Sequence, residues 1–394
     1  MRITGARRKS DVTFYLIMLV ALLNHTSFKG NKVLMSLFAI DLGAGPATIG
    51  VLFAMYSLFP IVLSFYAGKF SDRFGFRLPV TVASCGIVAS LLLPFFFPHL
   101  ATLFVAGTLA GICNIFYVVS IQHAVGAHGE GPERMRNYSV FSICIGVTSL
   151  VGPVFTGFAI DGVGHRMTFV FLAVLPAVTV LTLLLYPAML PRPKHQERRS
   201  ARRGMLDLLG NVRLRRVLIA TAFLETGMEL FTFLMPIYGH SIGLTASQIG
   251  IVMGAFALAL MGVRTVMPAL VCHSSEERVF SLSMFVAAVA CIGLPFASSL
   301  GPLLVMSFAL GLGAGCGAPL SMVLSYNRSP EGRTGEAMGL RQTVNKTMEA
   351  SMPLVFGFLS TALGFMPVYW IGALVLACGG WLMASDARHK PVTK

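Results

Sequence analysis

The sequence predicts an all-α integral membrane protein with twelve transmembrane helices. Of its 394 residues, 55% are hydrophobic and only 12% are charged, and the mean hydropathy is +0.77. A soluble domain carries about a quarter charged residues. Apolar stretches of about 20 residues, the length of a helix that crosses a bilayer, recur along the chain. They lack the apolar–polar alternation of a barrel, and an open sheet would leave backbone groups unpaired in lipid.

Two sets of six spans flank one long polar segment. The first six spans are predicted at Thr13–Leu37, Thr48–Gly68, Leu78–Phe97, Leu100–His123, Tyr138–Asp161 and Met167–Met189. The second six are predicted at Val217–Tyr238, Ser247–Val271, Val279–Phe296, Leu303–Tyr326, Arg341–Leu363 and Val368–Ala384. The predicted domains are therefore a six-helix bundle over 1–190, a linker over 191–216 and a second six-helix bundle over 217–394.

The positive charges lie on one side of the predicted membrane. The even-numbered connections contain Lys and Arg, including nine such residues from Arg192 to Arg216, whereas the odd-numbered connections contain only Arg166. Basic loops stay in the cytoplasm, so both termini and the linker are predicted to be cytoplasmic in a plasma membrane such as the bacterial inner membrane. The net charge of +14 then reflects topology and contact with anionic lipid, and no nucleic-acid partner is expected.

The two sets of spans repeat each other at an offset of 200 residues. Span 2 opens with ATIG at 47–50, and span 8 opens with SQIG at 247–250. The same offset relates Gly111 to Gly311, Pro153 to Pro353 and Gly157 to Gly357. Repeated halves of parallel topology are expected in transporters whose substrate binds near the membrane midplane. We therefore predict two pseudo-symmetric bundles that rock about a central cavity.

The loop after span 2 resembles the signature of the major facilitator superfamily. That signature reads G-x-x-x-D-R-x-G-R-R, and residues 68–77 read GKFSDRFGFR, with Phe76 in place of a basic residue. The resemblance covers the whole chain. It implies the fold of that family, secondary transport of a small molecule, and a monomer.

The resemblance also implies a cytoplasmic gating motif, which latches the two halves when the cavity opens outward. Its residues here are Gly68, Asp72, Arg73, Gly75 and Arg77. Gly68 would allow close helix approach, and Asp72 would face the positive end of a neighbouring helix. Arg73 would pair with an acid near span 4, for which Glu133 is the candidate. The alternative is an ordinary basic cytoplasmic turn.

A second resemblance lies in span 5, where residues 152–157 read GPVFTG. This is similar to the G-P-x-x-G-G motif of the family's antiporters, with Thr156 in place of one glycine, and it favours export. Pro153 can bend the helix, and Gly152 and Gly157 permit close helix contact. Packing of small residues alone explains the pattern equally well.

Charged residues within the spans are the strongest functional signal, because each costs at least about 2.5–3.5 kcal/mol in a bilayer and needs a partner. Span 1 carries His25 and Lys29, and span 7 carries Glu225 and Glu229 at the positions 200 residues later. Each pair lies on one helix face. We predict that Glu225 or Glu229 carries a proton, since proton affinity depends on burial and nearby charge. A static buried ion pair is the alternative.

Span 11 supplies further candidates for the substrate cavity. Arg341, Asn345 and Glu349 recur every four residues, and Lys346 lies beside them. Lys346 and Glu349 are expected to pair within the helix. Arg341 either belongs to this polar stripe or extends to the cytoplasmic surface.

In span 4, Asn114 and Tyr117 are expected either to line the cavity or to bond neighbouring helices. Gly107 stands where many proton antiporters of the family carry an arginine, so we expect proton coupling to depend on span 7.

No Walker motif, Rossmann fingerprint, nucleophile elbow or metal-binding His/Cys spacing occurs in the sequence. We therefore predict no enzyme, no cofactor and no metal site, and no ATP hydrolysis by the chain itself. The predicted function is secondary active transport, most simply the export of a small organic solute in exchange for protons. A proton-coupled importer of a polar or charged metabolite and a transporter-like receptor are the alternatives.

Overall fold

The computed structural model describes residues 2–127, 132–186, 205–330 and 333–388, and the regular secondary structure in these ranges is helical. The first half of the chain forms α1 (Arg2–Asp41), α2 (Pro46–Phe74), α3 (Arg77–Phe96), α4 (Leu100–Ala127) and α5 (Pro132–Leu185). The second half forms α6 (Val212–Ser241), α7 (Ala246–His273), α8 (Glu276–Gly293), α9 (Leu300–Gly315), α10 (Gly317–Asn327), α11 (Thr334–Leu363) and α12 (Phe365–Arg388). Two short 3-10 helices lie at Met205–Gly210 and Leu294–Phe296.

The helices follow the predicted spans with one exception. Spans 5 and 6 are confirmed as two helices within α5, which meet at Gly164, where φ of 80° and ψ of 167° are not helical. Span 10 is divided into α9 and α10 at Cys316. The freed carbonyl oxygen of Gly315 at this division accepts a hydrogen bond from Arg264 Nε at 3.3 Å. Apolar periodicity marks only the part of a helix that contacts lipid, so it could not reveal the division of span 10.

The helix lengths and compositions fit a membrane protein. Among the described residues, nine helical stretches are long and apolar enough to cross a bilayer, and one of them, Arg136–Leu185, has 50 residues, enough for two crossings. Helices α1 and α11 are not in this set. Both carry the charged and polar residues on which the functional prediction depends, and these lower their mean hydropathy.

The chain divides into two compact units. Unit 1 comprises residues 1–44, 55–198 and 245–250, and unit 2 comprises 45–54, 199–244 and 251–394. In unit 1, α1 packs chiefly against α5, and α3 packs against α4 and α5. In unit 2, α8 packs against α12 and α9, and α6 packs against α11 and α12. The division at 190 and 216 stays a prediction, because residues 187–204 lie outside the described ranges.

A core of buried apolar side chains holds each unit together. In unit 1, Phe14, Ile17, Phe76 and Tyr117 belong to one buried cluster. In unit 2, Leu208 of the first 3-10 helix packs with residues at the starts of α6 and α11. Large apolar side chains on the outer helix faces remain uncovered by protein, for example Val62 and Val289. Such faces are expected to contact lipid.

The 200-residue repeat extends to the backbone. Gly164 at the break in α5 and Gly364 between α11 and α12 both have φ of 80°, and Gly43 and Gly243 both have φ of 83°. Only glycine adopts these angles without steric cost. Equivalent turns therefore follow equivalent helices in the two halves of the sequence.

Close helix contacts also repeat at this offset. In unit 1, a Cβ atom on Gly111 would collide with the carbonyl oxygen of Tyr56, and in unit 2 a Cβ atom on Gly311 would collide with that of Phe256. Both colliding atoms belong to the backbone and cannot turn away. The predicted repeat is thus confirmed in the helix contacts as well as in the sequence.

Replacing Gly111 with alanine should destabilise the protein, because the new methyl group must displace the backbone of α2 at Tyr56. We expect a loss of about 1–3 kcal/mol, typical of overpacking. Thermal unfolding of the purified protein in detergent would measure it. Gly162→Ala is the matched control, since a Cβ atom there meets open space. An equal effect of the two substitutions would contradict this interpretation.

Candidate functional site

The predicted site residues of unit 1 lie on α1 and α4. His25 is buried, with 8% of its surface exposed. Its Nδ1 lies 3.1 Å from the carbonyl oxygen of Ala21 and 3.3 Å from the hydroxyl of Tyr117. That hydroxyl donates to the carbonyl oxygen of Val20 at 3.3 Å. Tyr117 is fully buried, so it joins α4 to α1 and supports the histidine. Asn114 is half-buried on α4.

Further along α1 lie two lysine side chains and a close contact with α5. Lys29 is half-buried, and Lys32 is buried with its ammonium 5.8 Å from the centre of the Phe28 ring. Gly152 of the span-5 motif packs here, since a Cβ atom on it would lie 3.0 Å from Lys29 Cβ and 2.9 Å from the carbonyl oxygen of Thr26. The motif therefore fixes the distance between α5 and the part of α1 that carries Lys29.

Three polar contacts of α1, made by Asn24 and Asn31, were not predicted. Asn24 donates to Thr179 Oγ1 at 2.8 Å and accepts from Ser84 Oγ at 3.2 Å. Asn31 donates to the Tyr56 hydroxyl at 3.0 Å. Polar residues within an apolar span were the available signal, but their partners lie up to 155 positions away.

In unit 2, a cluster of charged residues lies on α6 and α11; we call Glu225, Glu229, Arg341, Lys346 and Glu349 the charged cluster. Glu225 is half-buried and lies within electrostatic range of all four other members. Lys346 Nζ donates to Glu349 Oε2 at 2.6 Å, which confirms the predicted pair within α11. The cluster contains three carboxylates and two cations.

Arg341 lies within this cluster rather than at the cytoplasmic surface. Only 8% of its surface is exposed, and its Nη1 donates to Ser321 Oγ of α10 at 3.3 Å. Its Nε and the Oδ1 atom of Asn345 are buried and have no hydrogen-bond partner among the described residues. Buried polar atoms without partners are rare in proteins and call for a water molecule or a ligand. One face of α11 therefore presents both a donor and an acceptor beside Glu225.

The gating motif is described in part. Gly75 has φ of 79°, which turns the chain between α2 and α3. Arg77 Nε donates to the carbonyl oxygen of Leu183 at 3.2 Å and so ties α3 to the end of α5. Phe76 is buried in the unit 1 core, which accounts for an apolar residue where the family signature has a basic one.

The predicted pair of Arg73 and Glu133 stays a prediction. The guanidinium of Arg73 lies 5.3 Å from the centre of the Phe74 ring. Gly68 and Asp72 belong to α2 and Glu133 belongs to α5, but the side-chain surroundings at these three positions lie outside the described part of the structure.

An ion-pair network at the even-loop end of unit 2 was missed by the sequence analysis. Arg328, at the end of α10, donates to Glu277 at 3.1 Å and to Asp386 at 2.6 Å. Asp386 also pairs with Arg216, at the start of α6. Glu277 is only 1% exposed. Acidic residues in otherwise basic connections were the signal, but the partners come from four different helices.

Comparison with known proteins decides the family. The model of the Major Facilitator Superfamily matches residues 17–274 and 217–394. The chain belongs to the Major Facilitator Superfamily. Membership places it among membrane transporters rather than enzymes, and the all-α membrane fold predicted from the sequence is confirmed.

Relatives in this superfamily include resistance proteins that match nearly the whole chain. The quinolone resistance protein NorA of Staphylococcus aureus is 22% identical over 90% of this chain and 91% of its own length. The multidrug resistance protein MdtG of Dickeya zeae is 22% identical over 86% of this chain and 85% of its own length. The human vesicular acetylcholine transporter is 34% identical, but only over 34% of this chain and 26% of its own length.

The structure of this chain superposes closely on solved structures of transporters. A POT family transporter crystallised with 5-aminolevulinic acid has a TM-score of 0.79, with 14% identity over 97% of this chain and 96% of its own. The nucleoside transporter NupG has a TM-score of 0.78, with 13% identity over 95% of this chain and 99% of its own. These identities support a shared fold and say nothing of a shared substrate.

Replacing Arg328 with methionine should strongly destabilise unit 2, because Glu277 and Asp386 would lose their shared partner while remaining buried. Breaking such a buried pair costs about 3–5 kcal/mol. The measurement is the midpoint of thermal unfolding in detergent. Arg216→Met is the control, since the Arg216 side chain is 41% exposed and has one acidic partner in this network. The network would lose its assigned role if both variants unfolded at the same temperature.

Proposed function

We propose that this protein is a secondary active transporter that exports a small organic solute in exchange for protons, by alternating access. The observation that carries the proposal is the charged cluster, in which Glu225 lies beside Arg341 and Lys346 on helices that the sequence predicts to cross the membrane. Charges are kept at such depth only where they are paired or used. Proton exchange needs a carboxylate that can change its charge in this setting.

The composition of the charged cluster supports proton coupling. Its three carboxylates exceed its two cations by one, so a single bound proton would make the cluster electrically neutral. A neutral cluster is less costly than a charged one when its access to water changes. Glu225 is the proposed proton carrier, and Glu229 and Glu349 tune its environment.

Polar atoms without partners support a substrate or water site at the same place. Arg341 Nε can donate and Asn345 Oδ1 can accept, and neither has a partner among the described residues. We propose that Asn345, Lys346 and Glu349 contact the substrate. In unit 1, Lys29 and Asn114 are proposed for the same role, with His25 and Tyr117 positioning α1 against α4.

Export is favoured over import by the nature of the relatives and by the span-5 motif. NorA and MdtG, which match along most of this chain, are resistance proteins by name. Gly152, Pro153 and Gly157 form the motif that resembles that of antiporters, and Gly152 packs directly on α1. We propose that the protein works as a monomer in a bacterial inner membrane, with both termini in the cytoplasm.

A proton-coupled importer of a polar or charged metabolite is the second candidate. It is favoured by Lys29 and Lys32 on α1, since a purely hydrophobic cationic drug would gain nothing from them. Uptake and efflux assays in oriented vesicles distinguish the two directions. Binding of a ligand without any flux would instead indicate a receptor.

Replacing Glu225 with glutamine should slow transport driven by a pH gradient, because the amide has nearly the same shape but cannot bind and release a proton. The test is a substrate screen in proteoliposomes with an imposed pH gradient, in which we expect a rate at least tenfold slower, equivalent to about 1.4 kcal/mol of activation free energy. Glu276→Gln is the matched control, because Glu276 lies in the first turn of α8 outside the charged cluster. Full pH-driven transport by Glu225→Gln would exclude Glu225 as the proton carrier.

Replacing Asp72 with asparagine should leave the protein folded but slow transport, because the gating motif would lose the charge proposed to hold the cytoplasmic side closed. Transport rates are to be compared at equal expression, with chromatographic monodispersity as the folding check. Asp41→Asn is the control, since Asp41 is exposed at the end of α1, which is predicted to lie on the opposite membrane side. Unchanged transport by Asp72→Asn would count against the latch.

A further inference from the structure

A carboxylate of α5 caps the first turn of α7. Asp161 Oδ1 accepts the backbone N–H of Ala246 at 3.1 Å, and its Oδ2 accepts that of Ser247 at 2.8 Å. The residues involved, 161 and 245–250, belong to unit 1. The contact lies just before the break of α5 at Gly164 and at the start of α7, on the side of the odd-numbered connections.

The cap completes a helix start that its own residues leave incomplete. At the start of α7, the preceding residue Thr245 accepts the N–H of Gln248 through its Oγ1 at 3.3 Å, and Gln248 Oε1 accepts the N–H of Thr245 at 3.0 Å. This reciprocal capping box leaves the N–H groups of Ala246 and Ser247 without a local acceptor. Asp161 provides acceptors for both, and its negative charge also faces the positive end of the helix dipole.

Close backbone packing shows that the cap depends on helix approach. A Cβ atom on Gly157 would collide with the carbonyl oxygen of Ala246, and one on Gly250 would lie 2.6 Å from that of Pro153. The backbones of α5 and of the first turn of α7 are therefore in direct contact. The carboxylate of Asp161 can reach two adjacent N–H groups only while this contact holds.

The repeat-related position carries a weaker cap. In unit 2, Thr361 Oγ1 accepts the N–H of Ala47 at 3.1 Å, and Gly357 packs against the carbonyl oxygen of Pro46. Residues 161 and 361 are equivalent, as are 47 and 247. A neutral hydroxyl thus accepts one backbone N–H where the carboxylate accepts two. Charge-assisted hydrogen bonds are also roughly twice as strong as neutral ones.

We propose that Asp161 is a latch for the odd-loop side of the transporter. It holds the first turn of α7 against α5 while that side is closed, and it releases those N–H groups each time that side opens. The latch joins helices from opposite halves of the sequence, and α7 continues from residue 251 in unit 2. The inference rests on the proposed alternating-access function. Of the two repeat-related caps, the one made by Asp161 is the stronger, because its acceptor is a carboxylate.

The test is a distance measurement between spin labels on the full-length protein in liposomes. Labels are placed at the repeat-related exposed positions Val163 and Leu363, after replacement of the seven native cysteines. We expect Asp161→Asn to raise the ratio of the long-distance to the short-distance population about five- to tenfold, because one charged acceptor pair becomes one neutral acceptor. Thr361→Val is the matched control, for which we expect less than about a twofold change.

A conservative variant separates a latch from a general loss of folding. Asp161→Glu retains the charge and should restore most of the wild-type distance distribution, whereas a defect shared by both variants would refute the role of charge. An unchanged distribution in Asp161→Asn would overturn the latch. Because the distances are measured without substrate, the latch is tested separately from the proposed function: absence of wild-type flux in the proteoliposome screen would refute the transport proposal, not the distance result.

Discussion

The low polarity of the lipid bilayer is the constraint on which the rest of this structure depends. Every backbone hydrogen bond must be satisfied within the segment that crosses the membrane, so the chain forms helices. Apolar burial does not drive helices together in lipid, so close contact at small residues must do so. Gly111, Gly157 and Gly250 provide these contacts, and each meets a backbone carbonyl of another helix.

The same constraint favours a partner for each charge within these helices. Arg328 lies between Glu277 and Asp386 at the end of unit 2, and Lys346 pairs with Glu349 within α11. Arg341 differs, because it is buried with one hydrogen bond to Ser321 and an Nε atom without a partner. In a purely structural ion pair, the buried donors of the arginine and the acceptors of its partner would all be hydrogen-bonded. The incomplete bonding beside Glu225 is therefore the part of the molecule best suited to binding and releasing other groups.

The two halves of the 200-residue repeat share their helix packing but differ in their charged residues. Equivalent glycines make equivalent contacts, so the helix arrangement is shared. Equivalent functional positions differ in charge: Lys29 corresponds to Glu229, and Thr361 corresponds to Asp161. Packing positions accept little change because backbone atoms oppose them, whereas polar positions tolerate a change of charge. Asymmetry of function is thus built on symmetry of packing.

The sequence by itself determined the membrane class, the helical fold, the repeat and the family signature, because these follow from local hydropathy, charge placement and fixed spacing. It also predicted the pair of Lys346 and Glu349, which lie one helical turn apart. Only the tertiary structure decided that Arg341 is buried beside Glu225, that Arg328 joins four helices and that Asp161 caps α7. The hydrogen-bond partner of Arg341 lies 20 positions away along the chain, the acidic partners of Arg328 lie 51 and 58 positions away, and those of Asp161 lie 85 and 86 positions away. Such pairs depend on which helix faces meet, and helix periodicity alone does not specify that.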